Sequence, residues 1–91
     1  MKEKKAVISV VGKDQVGIIA GVTTVLADND INILDISQTI LQDFFTMMML
    51  VEIKDPEKME KLQLDLEEIR NRMHLKIDVQ REDLFQTMHR I

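Results

Sequence analysis

The stretch from Val16 to Ala27 contains no charged residue, although Asp, Glu, Lys and Arg make up 31% of the chain. The stretch follows a loop with a glycine at each end, Gly12 and Gly17, and precedes Ile31-Asn32-Ile33, which begins a strand. A helix on a protein surface normally carries charges on its solvent side. We therefore predict a helix over about residues 17–28, with one face in the core and a second face also covered. Asp28-Asn29-Asp30 should end it, with Asn29 as a left-handed cap.

The two sides of this helix differ in side-chain size. The side opposite the core carries Ala20, Thr24 and Ala27. Small residues there would permit close approach of another element, but they are equally compatible with ordinary helix surface, and the sequence does not decide between the two interpretations. The side predicted to face the core consists of Ile18, Val22, Val25 and Leu26, with Ile19 at its margin.

The remaining pattern alternates strands with a second helix. Asp55 and Pro56 are typical of a helix start, as N-cap and first helical residue. The order βαββαβ predicts an α+β, ferredoxin-like fold, in which an antiparallel sheet of order 4-1-3-2 has two helices on one face. We expect a single domain over residues 1–91. The predicted elements are strands at 5–11, 31–41, 44–53 and 75–80, a second helix at 57–73 and a short C-terminal helix at about 82–90.

The third strand, FFTMMMLVEI, is apolar on both faces, whereas a strand buried on one side only would alternate. The C-terminal helix is too short to be stable alone and must dock on something. The two features explain each other if the helix covers the second sheet face, in its own chain or in a neighbour's. Its apolar side consists of Leu84, Phe85, Met88 and Ile91.

Composition excludes several classes of function. The net charge of −4 argues against a nucleic-acid surface, which needs a basic stripe, and the three Phe residues are the only aromatic ones. There is no Cys, which fits a reducing compartment. The longest apolar run is far below the roughly 20 residues that a membrane span needs, and the N-terminus does not read as a signal peptide. We expect a cytoplasmic protein that contacts neither nucleic acid nor membrane.

The loop from Gly12 to Gly17 has the glycine spacing of a P-loop, but Ile18-Ile19 replace the Lys-Ser/Thr pair that would hold phosphate and magnesium. A Walker site is therefore excluded. Two interpretations of the loop are left: a turn that needs glycine, or a helix start whose N–H groups hold a small anion or carboxylate. Asp14 could cap the helix or contact the ammonium group of a ligand.

No constellation for catalysis or metal binding is evident in the sequence. His74 and His89 are far apart and belong to no cluster with ligand spacing. Ser9 and Ser37 lie mid-strand without a basic residue nearby in sequence. We expect no enzyme activity, no cofactor and no metal.

The strand and loop VVGKDQVGIIAGVTTVLADNDINILDISQT, followed by FFTMMMLVEI, resemble the ACT domain, a ferredoxin-like regulatory module that often binds amino acids. The resemblance covers the whole chain. It is most specific at Gly12-Lys13-Asp14, Gly17-Ile18 and Ile31-Asn32-Ile33. The chain is most similar to small stand-alone bacterial and archaeal ACT proteins and to the half-units of the glycine cleavage system transcriptional repressor.

This resemblance implies an effector site between the first loop and the start of the second strand, commonly at a dimer interface. It also implies a homodimer that senses an amino acid and modulates a protein partner. The alternative is a ligand-free assembly module that contacts another protein. Carried over to this sequence, the implied ligand-binding residues are Asp14, Gln15, Val16, Gly17, Ile18 and Asn32.

Overall fold

The element order βαββαβ is confirmed by a computed structural model, which describes residues 4–81. The helix predicted at about 82–90 lies outside the described residues. The 3-10 turn that precedes the second helix was not predicted. The elements are β1 (Lys4–Lys13), α1 (Ile18–Asp28), β2 (Ile31–Leu41), β3 (Phe44–Ile53), the 3-10 turn (Pro56–Lys58), α2 (Met59–Met73) and β4 (Lys76–Arg81).

The four strands form one antiparallel sheet in the order β2-β3-β1-β4, which confirms the predicted arrangement. The apolar strands β1 and β3 lie in the centre, and β2 and β4 form the edges. The β2–β3 hairpin turns through Gln42 and Asp43, and Gln42 has a φ of 57°. Because β1 and β2 both pair antiparallel with β3, they run in the same direction, and α1 returns the chain from the end of β1 to the start of β2.

Both helices cover the same face of the sheet. Along β3, every second residue from Phe45 to Ile53 is buried, while Phe44, Thr46 and Met48 are exposed. On β1, the partners Ala6, Ile8 and Val10 of these residues are buried too, with Ile8 opposite Met49. Burying such side chains contributes about 1.5–3 kcal/mol each to stability. The helix residues fully buried against this face are Ile18, Val22 and Leu26 of α1 and Leu62, Leu66 and Ile69 of α2.

The pairing of β2 with β3 shifts by one residue between Ile33 and Asp35. Before this bulge Ile33 lies opposite the buried Val51, and after it Ile36 lies opposite the buried Met49. The bulge therefore changes which residues of β2 are on the helix side. Odd-numbered residues are on the helix side before it, and even-numbered residues after it.

The ends of the helices differ in detail from the prediction. We expected Asn29 to end α1 in the left-handed conformation, but its φ is −105°, and the following Asp30 has a φ of 56°. Asn29 is instead buried, and its Nδ2 donates to the Val25 carbonyl oxygen at 2.8 Å. The Asp55 carboxylate accepts from the Glu57 backbone N–H at 3.0 Å, so it caps the 3-10 turn rather than α2 itself.

Candidate ligand site at the start of the first helix

Helix α1 begins without a side-chain cap. Gly17 precedes it with a φ of 96°, a left-handed conformation that glycine adopts without strain. The first backbone hydrogen bond of the helix runs from the Gly21 N–H to the Gly17 carbonyl oxygen at 2.9 Å. Asp14 does not cap α1, so that interpretation was wrong. The N–H groups of the first turn therefore have no partner within the helix and no side chain that caps them.

The loop before α1 is attached to two other parts of the molecule. The Asp14 backbone N–H donates to the Asp43 carbonyl oxygen in the β2–β3 hairpin at 2.6 Å. The Nε2 of Gln15 donates to the Met73 carbonyl oxygen at 2.9 Å and to that of Lys13 at 3.2 Å. Both N–H bonds of the Gln15 amide are thus used to hold the loop against the end of α2, so its Nε2 has no N–H left to donate to a ligand.

Gly12 allows β1 to pass close to the connection between α2 and β4. A Cβ atom at this position would lie 2.5 Å from Cδ2 of Leu75 and 3.4 Å from its Cα. The Leu75 side chain, which is buried in the core, would have to move. Gly12 therefore serves the packing beneath the loop.

The contiguous residues of the predicted site differ in what they can offer a ligand. Val16 is 99% exposed, and the Asp14 side chain is exposed beside it in sequence. Ile18 is only 2% exposed because its side chain belongs to the core, so this residue can offer a ligand its backbone N–H and little else. The accessible groups are thus one carboxylate and the N–H groups at the helix start.

Asn32 is separated from the loop within one protomer. It lies opposite Glu52, which lies opposite Lys5 on β1, whereas the loop starts after Lys13 at the other end of that strand. Eight residues of β-strand span about 27 Å. The structure therefore brings the loop residues together but leaves Asn32 at the far end of the sheet.

The sequence did not indicate that the connection between α2 and β4 borders the loop. Met73 receives the Gln15 hydrogen bond, and His74 ends α2 with a φ of 56°. Gln15 and Met73 are 58 positions apart, so no local pattern could reveal the contact. The imidazole of His74 is exposed.

The edge strand β2 is exposed along most of its length. From Leu34 onwards every residue is exposed, including Ile36 and Ile40 on the helix side of the sheet. The outer edge of β2 pairs with no strand among residues 4–81. An unpaired edge with apolar side chains is typical of a surface that another chain can cover.

The family model of the ACT domain matches residues 4–80. The chain belongs to the ACT domain family. ACT domains are typically regulatory ligand-binding modules, and the resemblance on which the sequence prediction rested is confirmed.

Relatives of this ACT domain extend over nearly its whole length. It is 47% identical over 88 residues to a UPF0237 protein of Clostridium acetobutylicum, covering 96% of this chain and 99% of the relative. An ACT domain protein from Streptococcus pneumoniae is 39% identical, with a TM-score of 0.79 and coverage of 93% and 97%. A structure described as that of a glycine cleavage system transcriptional repressor has a TM-score of 0.80. At 23% identity, over 89% of this chain and 47% of the other, that likeness shows the fold.

The outer side of α1 in this ACT domain faces a groove of about 560 Å³ between the two helices. Ala20, Gly21 and Thr24 line it on one side, and Lys61 and Arg72 are among the residues on the other. Apart from Asp28, the α1 side of the groove is uncharged, whereas most of the residues on the α2 side are charged.

A polar contact ties the end of α1 to α2. The carboxylate of Asp65, at the edge of the groove, accepts from Lys61 Nζ at 2.8 Å and from Asn29 Nδ2 at 3.1 Å. These two hydrogen bonds, that of Lys61 first, lower the pKa of Asp65 below its ordinary value.

Neither metal ligation nor membrane insertion has support in the described part of this ACT domain. Across residues 4–81, no group of three or more His, Asp or Glu side chains is arranged to hold a metal ion. Within the same range, neither helix combines the length and the apolar character needed to cross a bilayer.

Proposed function

We propose that this ACT domain is a non-catalytic regulatory module that binds an amino acid at a dimer interface and thereby changes its affinity for a protein partner. The observation that carries the proposal is the start of α1, where backbone N–H groups follow a left-handed glycine and have no side-chain cap. Such a helix terminus favours a negative group, through the N–H donors and through the helix dipole. The carboxylate of the amino acid would accept hydrogen bonds near Val16, Gly17 and Ile18.

The position of Asn32 is the reason for proposing a dimer. A ligand on the loop cannot reach Asn32 of the same chain across about 27 Å. If two β2 strands pair antiparallel about a two-fold axis, Asn32 of the partner subunit lies beside the end of β2 near Leu41. Leu41 shares a row of the sheet with Phe44 and Lys13. Three strand spacings, about 14 Å, then separate the partner's Asn32 from the end of β1. The hydrogen bond from the Asp14 N–H to the Asp43 carbonyl oxygen holds the loop against the β2–β3 hairpin, which lies within that gap.

The ammonium end of the ligand would be recognised by oxygen atoms. The exposed Asp14 carboxylate can accept from it, and the side-chain carbonyl of Asn32 from the partner subunit can accept a second hydrogen bond. The same dimer would cover the exposed edge of β2 and its apolar residues Ile36 and Ile40. Gln15 would act by holding the loop in place.

The test begins with thermal unfolding in the presence of each of the twenty amino acids. An amino acid that binds only the native protein raises its melting temperature. Titration calorimetry with that amino acid should then show that Asn32→Ala loses at least about tenfold in affinity, the effect of losing one good hydrogen bond.

The matched control is Asn71→Ala, which truncates an exposed Asn on α2. It should bind as the unaltered protein does, and both variants should melt within a few degrees of it. Retained affinity in Asn32→Ala would place the ligand elsewhere.

A second candidate function is a ligand-free assembly module. The exposed apolar residues along β2 favour it because they need a cover whether or not a ligand is present. In that case no amino acid would change the melting temperature, while the protein would still associate with itself or with another protein.

A further inference from the structure

The sheet face without helices has an apolar centre. Val7 and Leu50 are paired on this face and are half-buried, while Met48 and Val11 are 37% and 38% exposed. Both described helices pack on the opposite face, so no element within residues 4–81 lies over this one. Apolar side chains at the centre of a sheet face are stabilising only when something excludes water from them.

Gln80 gives a second, independent sign that this face is covered. It lies opposite Val7 on β4 and therefore shares the same face. Its side-chain Oε1 is buried and accepts no hydrogen bond from the described residues. A buried carbonyl oxygen without a donor is destabilising, and native proteins nearly always supply a partner. The missing donor is then either a bound water or a group outside residues 4–81, and a segment that covers this face would supply the second.

The nearest segment that can supply a donor to Gln80 is the one that follows β4. Strand β4 ends at Arg81, one residue after Gln80, and ten more residues remain to Ile91. Ten residues of helix span about 15 Å, which matches the width of about 14 Å of a four-stranded sheet. Leu84, Phe85 and Met88 recur at the spacing of one helical face.

We propose that residues 82–91 fold back over the helix-free face of their own sheet, with the apolar side of a short helix on Val7, Met48 and Leu50. The Oε1 of Gln80 accepts a hydrogen bond from an N–H in the first turn of that helix. This cover keeps the face from stacking against a second copy, while the edge of β2 and the outer side of α1 stay open. It is independent of the proposed amino-acid site.

Disulfide trapping tests the proposal directly because the chain has no Cys of its own. Met48→Cys is combined in turn with Leu84→Cys, Phe85→Cys or Met88→Cys, and the variants are oxidised. A disulfide forms readily only where the Cα atoms approach to about 4.4–6.8 Å. At least one pair should close within one chain, giving a faster band on a non-reducing gel and an intact mass 2 Da lower for the bond formed.

The matched control combines Met48→Cys with Gln86→Cys, whose side chain belongs to the polar side of the segment. It should close much more slowly. Disulfides between chains would show that a second copy is the occupant and would overturn the proposal. Failure of all three apolar-side pairs to close, or closure of the Gln86 pair at the same rate, would overturn it as well.

Stability gives a second readout. Removal of residues 82–91 should lower the melting temperature by about 20 °C or more, as expected when a few buried apolar side chains are lost from a small domain. It should also create a surface that binds a hydrophobic dye. Phe85→Ser in the full chain serves if the shortened chain does not fold, and it should lower the melting temperature by about half as much. An unchanged melting temperature in both variants contradicts the proposal.

Discussion

The two helices are alike on the side that packs against the sheet and differ in charge on the side that faces outward. Each places three fully buried side chains on the sheet, with Val22 central in α1 and Leu66 in α2. Seven of the 15 residues of α2 are charged, whereas Asp28 at the end of α1 is that helix's only charged residue. Helix α2 thus has a charged outer surface, which is favourable in water, whereas the outer surface of α1 is almost uncharged.

This difference shows that the core alone does not determine what a helix carries on its outer side. The outer side of α1 is free of charge along the same helix that begins without a side-chain cap. Both properties disfavour an isolated helix, and both are expected where a ligand and a second subunit complete the surface. The α2 helix has no side-chain cap either, but it continues from a 3-10 turn that Asp55 caps, and its charged outer face is favourable in water.

The largest effects on stability should come from the helix residues that pack against the sheet. Leu26→Ala and Leu66→Ala each remove a buried side chain, and each should lower the free energy of unfolding by about 2–5 kcal/mol. Urea denaturation of the two variants measures this. A cost below about 1 kcal/mol for the α1 variant alone would show that the inner sides are not equivalent.

Gly17 before α1 and His74 after α2 both have left-handed backbone conformations, and substitutions at the two positions should change stability in opposite directions. Gly17→Ala places a Cβ at a φ of 96° and should cost about 1–2 kcal/mol of stability. His74→Gly removes a Cβ from a φ of 56° and should leave stability unchanged or raise it by up to about 1 kcal/mol. Thermal unfolding of both variants checks the pair, and equal losses would contradict the assignment of strain to φ.

The outer sides are compared by adding the same charge to each. Thr24→Arg on α1 should weaken self-association at least about tenfold, equal to 1.4 kcal/mol, because it introduces a long cation among the small uncharged residues on the outer side of this helix. Leu64→Arg on the exposed side of α2 is the matched control and should have no effect. Sedimentation equilibrium measures both, and a protein that is monomeric at tens of micromolar before any substitution would remove the dimer from the proposal.

The smallest effect concerns the polar contact between the helices. Because the pKa of Asp65 is lowered in the folded protein, its ionised form contributes stability above the ordinary pKa of 3.8. That contribution is lost as the pH falls through the lowered pKa. Asp65→Asn should therefore be slightly less stable than the unaltered protein at pH 7, and the difference should vanish near pH 2. Melting curves at both pH values test this, and a difference that grows in acid would contradict it.

The sequence was sufficient for the sheet and the helices because their periodicities are strong. The alternation from Leu75 into β4, with Leu75 and Ile77 buried, points to one face, and so does the spacing of Leu62, Leu66 and Ile69 in α2. The bounds of β2 and β3 agree with the prediction residue for residue. These patterns are local, so a single chain reveals them.

What the sequence did not reveal depends on contacts between distant residues. Asn29 was expected to adopt positive φ, but the buried hydrogen bond to Asp65 on α2 fixes it in another conformation. Gln15 was assigned to the ligand, yet its amide donates to Met73 at the end of α2. The distance between Asn32 and the loop depends on the directions of β1 and β2 in the sheet, and the residues of these two segments do not indicate those directions.

The bulge in β2 makes this edge strand intolerant of small insertions and deletions. Loops and edges usually accept a gained or lost residue, but here the extra residue near Leu34 sets the phase of everything that follows it. If all of these residues paired with β3 without a bulge, Asp35, Ser37 and Thr39 would move to the helix side, and Ile36 and Ile40 would exchange places with them. Lineages of this domain should therefore keep the number of residues constant between Asp35 and Leu41, and a residue lost at Leu34 should remove the bulge without changing the sides of the strand.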